Sequence, residues 1–180
     1  MEEFSKRGWI DLYYGDESRV SLAANVPYGW QFPDEDVFTP VEKGGGLNLF
    51  GLIRRDNHLL YETTVEKITG QFIFEQLEMV SMQIKKLTVV VLDNATVHTA
   101  GIIKERLAAW QTRGLYIFYL PKSSPHLNIA EILWRKLKYE WLSPSDYIDK
   151  AQLHYSVRQI LGAVGSILRI NFSDFNYSIR

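Results

Sequence analysis

Leu87-Thr88-Val89-Val90-Val91-Leu92-Asp93-Asn94-Ala95 is the stretch whose reading decides the fold. Its first six residues are apolar apart from Thr88, β-branched for the most part, and show no alternation. A short run of that kind reads as a strand buried on both faces of a parallel or mixed sheet. The run ends in a carboxylate. A charge placed directly after a buried strand is costly unless something compensates it, and the carboxyl ends of sheet strands are where α/β folds place their sites. A helix over residues 99–113 follows, with Ile103, Leu107 and Trp110 on one face and Gly114 stopping it. A second buried strand is expected at 115–120, then a Ser/Pro loop at 121–127 and a helix at 128–141 that carries Glu131. A strand-end Asp and a helix-borne Glu, separated by one helix and one strand, are the acidic pattern of two-metal phosphodiester chemistry, since hard divalent ions take carboxylate oxygens.

Working outward, residues 9–14 read as a strand rich in aromatics, 15–18 as a turn and 19–24 as the antiparallel partner. Residues 27–46 are irregular, broken by Pro27, Pro33, Pro40 and three consecutive glycines, with Trp30 and Phe32 inside. Residues 47–53 and 58–63 read as a second hairpin turning at 55–57. Residues 69–86 read as a helix, with Thr69 as N-cap and Ile73, Leu77, Val80 and Ile84 in helical register. A last helix spans residues 146–168, with Gly162 and Gly165 weakening its end. Early antiparallel strands joined to later parallel ones through helices argue an α/β sheet of mixed sense. No linker divides residues 1–180, so a single domain is expected.

The totals bound the function. The 180 residues carry a net charge of −1, so DNA contact must come from a local basic patch. There are no cysteines, which removes disulfides, thiolate zinc sites and Cys nucleophiles and suits a cytoplasmic protein. No apolar run is long enough for a membrane span, and residues 1–8 have no signal-peptide core.

Each acidic candidate has a local alternative. Asp93 suits a metal ligand, and equally an Asx-turn after a strand. Glu131 suits a ligand, a capping box with Asn128, or an i,i+4 ion pair with Arg135. Glu131, Arg135 and Lys138 share a stripe apart from the apolar face of Ala130, Leu133, Trp134, Leu137 and Trp141. A third carboxylate is needed. Asp16, at the end of the first strand, is preferred; Glu17 beside it points to the opposite face of an extended chain, and Asp11 is a rival in mid-strand. His98 is a candidate neighbour of the metals or of the scissile phosphate, and Asn94 a hydrogen-bonder across the site. Lys122, Ser123 and Ser124 are candidate phosphate contacts, with Arg135 and Lys138.

These residues carry a resemblance. Leu92-Asp93-Asn94-Ala95-Thr96-Val97-His98, then Leu120-Pro121-Lys122-Ser123-Ser124-Pro125-His126-Leu127-Asn128-Ile129-Ala130-Glu131 and Trp134-Arg135-Lys136-Leu137-Lys138, resemble the DDE catalytic domain of insertion-sequence transposases in the mariner-related branch. Residues 94–130 separate the two acids, a spacing this branch uses, and Asp16-Glu17 matches the family's first acidic pair. Ile129-Ala130 and His126 depart from the usual pattern without touching the three acids. The resemblance implies an RNase H-like fold, a mixed five-stranded sheet flanked by helices. It implies Asp16, Asp93 and Glu131 as catalytic residues holding two Mg²⁺ or Mn²⁺ ions about 3.5–4 Å apart. Asn94, His98, Lys122, Asn128, Arg135 and Lys138 would then lie around the metals or along DNA. It further implies cleavage of double-stranded transposon ends and strand transfer into target DNA, by a homodimer when active. Relatives carry an N-terminal helix-turn-helix region that this chain lacks, so it looks like a catalytic half. Other readings are a different RNase H-like nuclease and a catalytically inactive interaction domain.

Overall fold

The structure, a computed structural model, describes residues 1–22, 45–122 and 124–173. The decisive stretch forms β4, Thr88–Leu92, and all five of its residues are buried. It lies inside a five-stranded sheet of order β3-β2-β1-β4-β5. β1 is Asp11–Val20, β2 Leu47–Ile53, β3 Leu59–Thr64 and β5 Leu115–Tyr119. β1, β2 and β3 pair antiparallel, while β4 runs parallel to both β1 and β5. The mixed five-stranded sheet is the architecture expected from the sequence.

Helices cover both faces. α2 (Gly70–Gln83) and α3 (Gly101–Arg113) close one core with Tyr13, Phe50, Leu52, Val90 and Leu92. α4 (Ala130–Lys136) and α5 (Lys150–Ala163) close the other with Leu12, Tyr14, Leu49, Val89 and Val91. Successive residues of one strand thus serve opposite cores, which is why β4 shows no polar alternation. The caps follow local chemistry. Thr69 Oγ1 accepts from the Phe72 amide and Asp149 from the Gln152 amide, and Gly114 ends α3 at a left-handed φ of 91°. A short α1 (Glu2–Lys6), not expected from the sequence, precedes the sheet.

Four expectations are corrected. The first hairpin does not exist: β1 runs straight through residues 15–18. Gly15 is there for packing, since a Cβ on it would lie 2.5 Å from Leu92 and 2.7 Å from Leu52 side-chain atoms. The polar residues after it are allowed because β1 pairs with β4 only as far as Tyr14 opposite Val91, while its second half keeps β2 as neighbour. The second buried strand is an edge strand, β5, with Tyr116 and Phe118 exposed, because among the described residues β4 is its sole neighbour and helices cover one of its faces. The third helix starts at Ala130 and passes into a π-helical turn, Leu137–Trp141. The fourth begins with a separate 3-10 turn, Pro144–Tyr147, and ends at Ala163, where Gly165 adopts a φ of 88°.

Ser123 and the segment with Trp30 and Phe32 lie outside the described residues. Among the described residues no helix is long and apolar enough to cross a membrane.

Candidate active site

The site opens where β4 stops and β1 continues. Asp16 pairs opposite Gly51 of β2, beyond the last β1–β4 pair, so its side chain stands beside the carboxyl end of β4. Asp93 is the first residue after β4, and Glu131 lies in the first turn of α4. These three carboxylates, each on a different element, line one cavity of about 390 Å³ together with Asn94, Lys122 and Asn128. A second cavity, of about 530 Å³, adjoins it and shares Asp16, Asn128 and Glu131. Glu17, Ser18, His126, Arg135, Lys138 and Tyr139 are among the residues lining it.

Asn128 fixes the distance between β1 and α4. It is buried, its Nδ2 donates to the Gly15 carbonyl at 3.0 Å, and its Oδ1 accepts from the Ala130 amide at 3.1 Å. That use replaces the capping box read from the sequence. Ile129 occupies the N-cap position without a side-chain bond. Glu131 is exposed, and the Glu131–Arg135 ion pair considered from the spacing does not form among the described residues. Asn94 joins the two loops at the sheet's carboxyl edge by donating to the Leu120 carbonyl. Asp11 is not a site residue. It pairs with Arg54, and with Lys86 at 3.1 Å, at the start of β1.

His98 is completely buried between two carboxylates. Its Nδ1 lies 2.6 Å from Asp93 Oδ1, which also accepts from the Ala95 amide at 2.9 Å. Its Nε2 lies 2.8 Å from Glu17 Oε2, a close polar contact bent away from ideal hydrogen-bond geometry. Burial alone pushes the imidazole down, but Glu17 and Asp93 outweigh it and hold His98 above its ordinary value. Of the two positions considered for His98, burial leaves it next to the acids and closes its ring off from a bound phosphate. The sequence reading placed one of Asp16 and Glu17 at the site. Here alternation sends Asp16 towards α4 and Glu17 towards His98, and both acids reach the larger cavity. The signal for Glu17 was His98 itself, a histidine whose partners are far away in sequence.

Burial lifts the Asp16 carboxyl to about 7, and the nearby charges of Glu17 and Asp93 add to the shift. Lys138, in the π turn, is half-buried and lowered by desolvation, with Asp16 opposing the shift. Lys122 and Arg135 are exposed. Among the described residues no three His, Cys, Asp or Glu side chains form a ready-made ion cage. The donor set still suits a hard divalent cation: carboxylate oxygens from three elements face one open cavity, and one of them is raised by burial and then by the negative charge beside it.

Comparison with solved structures gives the same fold. The chain superposes on a Mos1 transposase paired-end complex with left transposon end with a TM-score of 0.56 at 13% identity, over 90% of this chain and 56% of that one. A mariner Mos1 paired-end complex with Mg gives 0.52 at 14% identity, over 85% of this chain and 55% of that one. A simian T-cell lymphotropic virus intasome in complex with PP2A regulatory subunit B56 gamma gives 0.58 at 9% identity, over 89% and 50%. The chain therefore spans about half the length of these solved chains, and the shared fold is RNase H-like. No curated protein sequence matches it. A family model described as DDE superfamily endonuclease matches residues 11–154, from the first residue of β1 into α5, and the chain belongs to that family.

Proposed function

We propose that this chain is the catalytic unit of an insertion-sequence transposase, cutting double-stranded DNA at element ends and joining the freed end to target DNA. One observation carries the reading. Asp16, Asp93 and Glu131, far apart in the chain, line a single cavity at the carboxyl edge of the sheet. Family membership and the fold shared with transposase and intasome chains support it.

In this reading Asp16, Asp93 and Glu131 hold two divalent cations, Mg²⁺ or Mn²⁺. Bound there, such ions supply Lewis-acid activation of the attacking oxygen and neutralise charge on the leaving 3′ oxygen. The chain's own residues do the positioning. Asn128 holds α4 against β1 and so sets where Glu131 stands relative to Asp16. Asn94 braces the loop after β4 against the end of β5. Lys122, on the smaller cavity, and Arg135 and Lys138, on the larger, hold phosphates on either side of the acids. Two ends cut by two such sites call for a homodimer on DNA.

The test is nicking and strand transfer on a labelled duplex carrying the element's terminal repeats, with Mg²⁺ or Mn²⁺. Asp16→Asn, Asp93→Asn and Glu131→Gln should each reduce both activities by about 100-fold or more while leaving the fold intact. Wild-type-like nicking by Asp93→Asn overturns the assignment.

A further inference from the structure

The acid that follows Asp16 faces the opposite way, and the residue it meets is the one that grips Asp93. Glu17 Oε2 stands 2.8 Å from His98 Nε2, and the other imidazole nitrogen stands 2.6 Å from Asp93 Oδ1. The three side chains form a continuous line from β1 to the end of β4, across the gap left where the β1–β4 pairing ends at Tyr14 and Val91. Their middle member has no exposed surface, and its surroundings fix it. The Tyr119 hydroxyl donates to the His98 carbonyl at 2.9 Å, the His98 amide donates to the Ala95 carbonyl at 3.0 Å, and the Phe50 ring lies against the imidazole. A ring held so firmly transmits position. With Asp93 Oδ1 already engaged by His98 and the Ala95 amide, Oδ2 is the oxygen left to face the cavity among the described residues.

We propose that Glu17 is a positioning residue: acting through His98, it holds the Asp93 carboxylate so that one chosen oxygen is presented to a divalent cation. The two adjacent acids of β1 then do different work. Asp16 is a ligand, and Glu17 is the far anchor of a brace on another ligand. A buried imidazole between two carboxylates fits this use. It has a carboxylate oxygen within 2.8 Å of each nitrogen, so it cannot tilt without losing a partner inside the protein. The assignment rests on the proposed metal-binding role of Asp16 and Asp93.

Calorimetric titration of the full chain with Mn²⁺ alone, without DNA, tests it. Wild type should bind Mn²⁺, and Asp16→Asn should abolish binding. Glu17→Ala and His98→Ala should each weaken binding by about 10–100-fold. The double variant should be no weaker than His98→Ala, because the two residues act in one line. Glu17→Gln keeps an oxygen for His98 and should stay within about threefold of wild type. If Glu17→Ala does not fold, Glu17→Gln decides alone: a loss as large as that of Asp16→Asn makes Glu17 a direct ligand and overturns the brace. Additive losses in the double variant overturn it too, as does unchanged affinity in both alanine variants. Absence of Mn²⁺ binding by wild type brings down the metal-site reading and the brace together, whereas binding that depends on Asp16 but not on His98 or Glu17 brings down the brace only.

Discussion

Asp16 sets the protein's stability against its chemistry. Its ordinary value of 3.8 rises to about 7 on folding, chiefly through burial and then through Glu17 and Asp93. Between those two values the folded state keeps a proton that the unfolded chain has released, so stability falls as pH rises from about 4 to about 7. The full shift corresponds to about 4 kcal/mol, and the access Asp16 retains to the cavity reduces it to about 2–3 kcal/mol. Asp16→Asn removes this burden. In EDTA the variant should be more stable than wild type at pH 8, and the advantage should shrink towards pH 4.5. Urea unfolding at both values checks this, and a gap independent of pH would mean that Asp16 is not strained by ionisation. Asp93 and Glu131 stand out in the sequence as candidates because each follows a recognisable element boundary. Glu17 does not, because its partner His98 is brought to it only by the closing of the sheet.

Among the elements, α2 and α3 are joined by one carboxylate. Glu78 accepts from Arg106 at 2.7 and 3.0 Å, from Arg113 at 2.8 Å and from the Trp110 indole at 2.6 Å. The hydrogen bonds from Arg106 and Arg113 hold it well below the usual carboxylate range. A depressed acid contributes stability above its unfolded value near 4.5, and that contribution is lost as pH falls through the acid range. Glu78→Gln should therefore destabilise the protein by about 1–2 kcal/mol at pH 7, with the difference closing in acid. Thermal melts at pH 7 and pH 3.5 measure it. The helical period made α2 and α3 readable almost to the residue, since a 3.6-residue repeat is local. β1 and β5 were misread for the opposite reason. Whether residues 15–18 turn or continue depends on the pairing with β2 and on Leu92 packing over Gly15. Whether β5 is central or at an edge depends on how many strands lie beyond it.

Over the whole molecule, the proposed function makes charge decide how DNA would arrive. A net charge of −1 gives no general attraction to a polyanion, and the site itself gathers Asp16, Glu17, Asp93 and Glu131. In the proposed function the attraction comes from the cations on the two cavities, Lys122 on one side of the acids and Arg135 and Lys138 on the other. Lys138 is already half-desolvated beside Asp16, so a phosphate placed there meets a cation that water screens weakly. If these three residues bind phosphates, affinity for duplex DNA should fall with salt in proportion to their number. Replacing any one of them with Gln should then lower the slope of log affinity against log salt by about one, independently of sequence. Fluorescence anisotropy with a labelled duplex at several potassium chloride concentrations, in fixed Mg²⁺ and with Asp93→Asn to prevent cutting, reads that slope. An unchanged slope in the Arg135 and Lys138 variants would place the phosphate path elsewhere on the surface. A change confined to the Lys122 variant would place the DNA on the smaller cavity's side of Glu131.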